Sequence, residues 1–172
     1  MPKLIARIAV AALLASVSML PAAHAEPTAQ TASDGIDKVR SAYRFAETVE
    51  RLKADIAAKK IMVFLAVDQA KLAADAGIAL RPSTLLMFGN PPLGTQFITS
   101  NPNAGLDWPV RLLVTQQDDG SVWTVYSDFG WIARRHGIKS RDAQFKMASQ
   151  VIASITSSVA ANSITSSVAA KK

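Results

Sequence analysis

Residues 89–95 (GNPPLGT) set two glycines five apart ahead of a hydroxyl, the outline of a loop that cradles phosphate. The lysine such a loop needs is replaced by Thr95, and Pro91 and Pro92 each remove a backbone N–H donor. The segment therefore reads as a strand end and a helix start. Gly89 tolerates a positive φ, Asn90 suits an N-cap, and Pro91 suits the first turn of a helix running to about Ser100. A weaker anion site remains open at the Leu93 and Gly94 amides, with Arg81 or Arg111 brought near.

His136 is the one histidine beyond residue 25, too few for a histidine-rich metal site. No G-x-S-x-G elbow accompanies it. Arg134 and Arg135 precede it and Gly137 follows, so it reads as a helix C-terminal residue, where positive charge is favourable. Asp118 and Asp119 belong to a turn, whereas Asp107 stands beside Trp108 and Pro109, where an aromatic and a carboxylate can line a pocket or pack on a sheet rim. The DFG triplet at 128–130 has no other kinase element around it. Candidate binding residues are Arg81, Gly89, Asn90, Gly94, Thr95, Asp107, Trp108 and His136; no residue is assigned a catalytic role, and no metal or cofactor is expected. An enzyme using His136 with Arg134 and a loop carboxylate is the rival reading. It requires a concave pocket in which His136 meets an aspartate. A binding module requires an apolar groove without convergent titratable groups.

These residues hang on elements the sequence also predicts. Leu85–Phe88 is a short apolar run between turn formers, expected at the centre of a sheet and buried on both faces. A first strand covers 35–41. A helix over 45–60 carries Phe45, Val49, Leu52 and Ile56 on one stripe, with an i,i+4 pair at Glu47 and Arg51. Residues 61–67 (IMVFLAV) form another strand, 69–76 a short helix ended by Gly77, and 101–109 a loop. Residues 110–127 form a hairpin turning at Asp119-Gly120, with Trp123 and Tyr126 on opposite faces. A short helix ends at Gly137. The last helix starts near Arg141, with Phe145, Ala148, Ile152, Ile155 and Val159 as its buried stripe.

The first 25 residues read as a signal peptide: Lys3 and Arg7, an apolar stretch from Ile8 to Leu20, then Ala23-His24-Ala25. Cleavage leaves 147 of 172 residues, one domain in size, with a polar leader over 26–34. Two of the 19 basic residues and none of the 13 acidic ones lie in the signal, so the net charge falls from +6 to +4. That excess has no clustered basic run, and nucleic acid is not an expected partner. Without cysteine, a periplasmic or secreted domain depends on its core alone. The tail repeats SITSSVAA at 154–161 and 163–170. Nine residues turn a helix by about 900°, so the second copy is half a turn out of phase, and 162–172 is expected to be disordered.

LRPSTLLMFGNPPLGT (80–95), LDWPVRLLVTQQDDGSVWTVY (106–126) and IARRHGI (132–138), with the helix FAETVERLKADIAAKK, resemble the family called domain of unknown function 302. The resemblance covers residues 35–138; the Ser/Ala/Val tail departs from it. It implies a TATA-binding-protein-like α+β fold, β-α-β4-α: a curved, mainly antiparallel sheet with a long helix after strand 1 and a C-terminal helix on one face. It also implies a homodimer and assigns no reaction. Together these readings give a periplasmic, non-catalytic module for a small-molecule or protein ligand, with no membrane insertion after cleavage. Its expected interaction surface is the sheet face free of helices, rimmed by the 89–95 and 107–109 loops. A third reading is an envelope-stress or membrane-surface protein whose tail meets a partner.

Overall fold

Five β-rich segments pair into one antiparallel sheet. The computed structural model describes residues 34–161; the signal peptide, the 26–34 leader up to its last residue, and the tail from 162 lie outside the described residues. The strands are β1 (Ile36–Arg40), β2 (Met62–Asp68), β3 (Ser83–Gly89), β4 (Val110–Gln116) and β5 (Val122–Ser127), ordered β1-β5-β4-β3-β2. Five α-helices join them: α1 (Phe45–Ala58), α2 (Gln69–Asp75), α3 (Pro91–Ser100), α4 (Phe129–Arg135) and α5 (Asp142–Ser157). The fold is α+β, the β-α-β4-α plan with α2, α3 and α4 added to its connections.

Local signals place most elements. Asn90 caps α3 by accepting from the Leu93 N–H at 3.1 Å, and Asp128 caps α4 by accepting from the Trp131 N–H at 2.6 Å. Gly120 turns the β4–β5 hairpin at φ +78°. The expected 101–109 loop contains a 3₁₀ turn, Pro102–Asp107, started by Asn101, whose side chain accepts from the Asn103 N–H.

The expectation for β3 needs correction. It lies second from the sheet edge, and β4 holds the centre. Its residues alternate: Leu86 and Phe88 are buried on the helix side, while Leu85 and Met87 are half-exposed on the other. A continuous apolar run here reflects one covered face and one bare one. The apolar β2 is an edge strand, with Met62, Val63, Phe64 and Leu65 exposed and a bulge between Val63 and Leu65.

The core lies between the sheet and the helices. Leu86, Leu112 and Val114 meet Leu52 and Ile56 of α1 and Ile152 and Ile155 of α5 in one buried cluster. Phe97 of α3 stacks on Phe145 of α5 at 4.3 Å between centroids. Val159, in the first copy of the repeat, is fully buried, and the Ala161 N–H donates to the Arg40 carbonyl, fixing the chain beside the end of β1.

Register also pairs Asp37 on β1 with Tyr126 on β5. Burial raises the Asp37 pKa, and the neighbouring Asp128 carboxylate adds to it; burial and then the Asp37 charge raise that of Tyr126. A carboxyl raised on folding binds more protons in the native state than in the unfolded one. Its contribution to stability therefore falls as pH rises from the ordinary carboxyl range through the raised value. Asp37→Asn is expected to raise Tm at pH 7, with the gap closing as pH drops to about 3.5. Thermal melts across that range check it, and a gap independent of pH refutes the assignment.

Candidate functional site

The two predicted loops meet at Trp108. Its indole lies against Gly89 at the end of β3 and Gly94 in α3, so closely that a Cβ on either glycine would overlap the ring. The G-x-x-x-x-G spacing thus admits an aromatic ring rather than a phosphate. Asn90 accepts the Leu93 N–H through its side chain and the Gly94 N–H through its carbonyl at 2.9 Å, and the Thr95 hydroxyl donates to the Pro91 carbonyl at 2.8 Å. Arg81 precedes β3, at the opposite end of that strand from Gly89, and pairs with Asp118. Arg111 is engaged by Asp107. The structure does not assemble the anion site the sequence left open.

Asp107 is the most heavily bonded carboxylate of the site. With 3% of its side chain exposed, it takes His136 Nε2 at 2.6 Å, Arg111 Nη2 at 2.8 Å and Arg135 Nη1 at 3.1 Å. His136 is the C-cap of α4, and its backbone carbonyl accepts from Asn101 Nδ2 at 2.8 Å. The cluster ties the 3₁₀ turn, β4 and α4 together around one buried negative charge. His136 does meet an aspartate, but neither residue lines the apolar cleft between α3 and α5, and both carboxylate oxygens are occupied. Arg134 is directed elsewhere, 3.8 Å from Asp128. Among the described residues, no group of three or more His, Asp or Glu side chains is placed to hold a metal ion.

The cleft lies between α3, α5 and the ends of β3 and β4, with a volume of about 660 Å³. Phe88, Trp108, Val110 and Phe129 supply its apolar floor, and Leu93, Met147 and Val151 its walls. Gly89 and Asn90 border it, so three sequence-predicted candidates (Gly89, Asn90 and Trp108) share one site. The two loops rim this cleft on the helix side, not the bare sheet face as expected, because Phe88 and Val110 point toward the helices.

On the bare face, register aligns Val67, Leu85, Leu113 and Val125 across four neighbouring strands, with Leu65 and Met87 alongside. Trp123 also points that way, opposite to Tyr126, as the alternation predicts.

A family model described as "Domain of unknown function DUF302" matches residues 37–160. The chain belongs to the DUF302 family. A crystal structure titled as an uncharacterized conserved protein DUF302 from Bacillus stearothermophilus superposes with a TM-score of 0.66 at 16% identity, covering 73% of this chain and 98% of that one, a likeness of fold. Two curated relatives, each named fluoride-specific ion channel FluC 1, come from Brucella suis biovar 1 (strain 1330) and Brucella abortus biovar 1 (strain 9-941). Both are 37% identical over 112 residues, 65% of this chain but only 44% and 42% of their own lengths. The DUF302 chain thus spans less than half of these relatives. Among its described residues, no helix is long and apolar enough to cross a membrane.

Sequence reasoning missed the α5 wall of the cleft. Met147 and Val151 stand one position off the buried Phe145, Ala148 and Ile152 stripe, and that offset is the signal that could have exposed them. It also missed the pairing of Asp107 with His136, 29 residues apart. Replacing Asp107 leaves two guanidinium groups and a buried imidazole without their acceptor. Asp107→Ala is expected to cost about 3 kcal/mol of stability. Urea denaturation measures this, and a loss below about 1 kcal/mol would contradict the structural role.

Proposed function

We propose that this DUF302 chain is an exported, non-catalytic interaction module that acts as a homodimer joined through β2. The observation that carries the reading is the contrast between the two sheet edges. β1 presents Asp37, Lys38 and Arg40 and has the Ala161 N–H bonded at its end. Charges and coverage of this kind discourage strand addition. β2 is less protected: its one charge is Asp68 at the very end, Met62 to Val67 hold no charge and no proline, and Met62, Val63, Phe64 and Leu65 stand exposed. Over its uncharged Met62–Val67 stretch, the strand paired with its own copy across a two-fold axis meets no like charge. The bulge at Phe64 interrupts the free edge, which favours one closed pair over continuing growth. Pairing would set two bare faces side by side, and exposed Leu72, Ile78 and Leu80 lie close in sequence to the same edge.

Burial of His136 and Asp107 in an ion cluster supports a role without catalysis. The basic and apolar pattern of residues 3–25 supports export. Protein recovered from a periplasmic fraction is expected to begin at Glu26, which intact-mass measurement decides; a chain retaining residues 1–25 would refute export with cleavage.

For the dimer, sedimentation equilibrium is expected to give a two-chain mass for the wild type. Leu65→Lys places a charge on an already exposed position, so it should leave Tm of the fold within a few degrees while weakening association about tenfold or more. A wild type that sediments as a monomer, or a Leu65→Lys variant that dimerises unchanged, overturns the β2 interface.

A further inference from the structure

We propose that the cleft floored by Trp108 binds a flat, uncharged, mostly apolar small molecule that carries one hydrogen-bond donor. The inference is independent of the β2 reading, because neither Phe64 nor Leu65 lines this cleft. Its volume of about 660 Å³ suits a small organic ligand rather than a helix or a strand. Trp108 is held against Gly89 and Gly94, so the ring offers a fixed flat surface that needs no ordering when a ligand arrives.

Charge decides the ligand class. Lys59 is the one ionisable side chain among the lining residues, and its Nζ is held by both Asp55 oxygens at 2.7 Å. That pairing leaves no net charge to attract an acid or a base.

Asn90, Gln150 and Ser154 add polar groups to the lining, and between α3 and α5 a carboxamide relay runs in a fixed direction. The Pro92 carbonyl can only accept, so Gln96 donates to it through Nε2 at 3.1 Å. The Gln96 Oε1 then accepts from Gln144 Nε2 at 3.0 Å. Gln144 Oε1 ends the relay, and among the described residues it accepts no hydrogen bond. A ligand hydroxyl or amide N–H on an otherwise apolar frame satisfies that oxygen, while the frame covers Trp108, Val110 and Phe129.

The probe is 2-naphthol, titrated into the full folded protein and followed by NMR. The Trp108 indole N–H and the Gln144 side-chain amide are expected to shift together. 2-Methoxynaphthalene, which has no donor, is expected to bind about five- to tenfold more weakly. Gln144→Leu should abolish that preference while leaving the fold intact. Met147 is exposed at the mouth of the cleft, so Met147→Arg should remove the shifts without changing Tm. The proposal is overturned if the Trp108 indole N–H stays unshifted to the solubility limit of the probe. It is equally overturned if 2-naphthoate binds more tightly than 2-naphthol, or if the wild type does not distinguish 2-naphthol from its methyl ether.

Discussion

Asp107 is the constraint on which the functional end of the molecule rests. A nearly buried carboxylate is unfavourable unless its oxygens are fully used, and here one imidazole and two guanidinium groups use them. Arg111 belongs to β4, and Arg135 and His136 belong to α4 and its cap, so one charge fixes the 3₁₀ turn against two separate elements. Trp108 follows Asp107 directly in the chain. Anchoring the carboxylate therefore sets where the indole can lie, and the two glycines provide the only kind of surface it can lie on. The ion cluster and the apolar cleft are consecutive consequences of adjacent residues.

A sheet with helices on one face leaves three kinds of unsatisfied surface: a bare face and two edges. The chain treats them differently. One edge carries charge and touches the segment after α5, the other carries exposed aliphatic and aromatic side chains, and the bare face is apolar along four strands. Hydrophobic burial scales with area and has no direction, so core formation alone does not explain this asymmetry. An exposed apolar edge beside a charged one is what association through one edge would leave on the free subunit.

How much of this was legible in the sequence follows from the range of each interaction. The start of α3 is written in Asn90 and Pro91, because capping acts within one turn. The hairpin is written in Asp119-Gly120, and α1 in the spacing of Val49, Leu52 and Ile56. The position of β3 was misread because an apolar run reports only that side chains avoid water, not which neighbour shields them. Leu85 and Met87 are apolar yet half-exposed, so the run resembled a doubly covered strand. Asp107, Trp108 and His136 were singled out by type. Their arrangement depends on contacts across 29 residues for the Asp107–His136 hydrogen bond and on three separate segments for the indole, and local pattern does not encode those.

Two glycines five apart are ambiguous between a loop that approaches an anion and a backbone that a ring approaches. The prolines resolve it. A phosphate needs converging N–H donors, and Pro91 and Pro92 supply none, whereas an indole needs only the missing Cβ atoms. The same prolines hold the first turn of α3 and leave the Pro92 carbonyl as an acceptor, and that acceptor orients Gln96 and through it Gln144. Replacing anion donors by a proline-started helix thus does more than remove a phosphate site. It turns the polar side of the cleft into a neutral relay, whose free end asks for a donor and offers nothing to a charge.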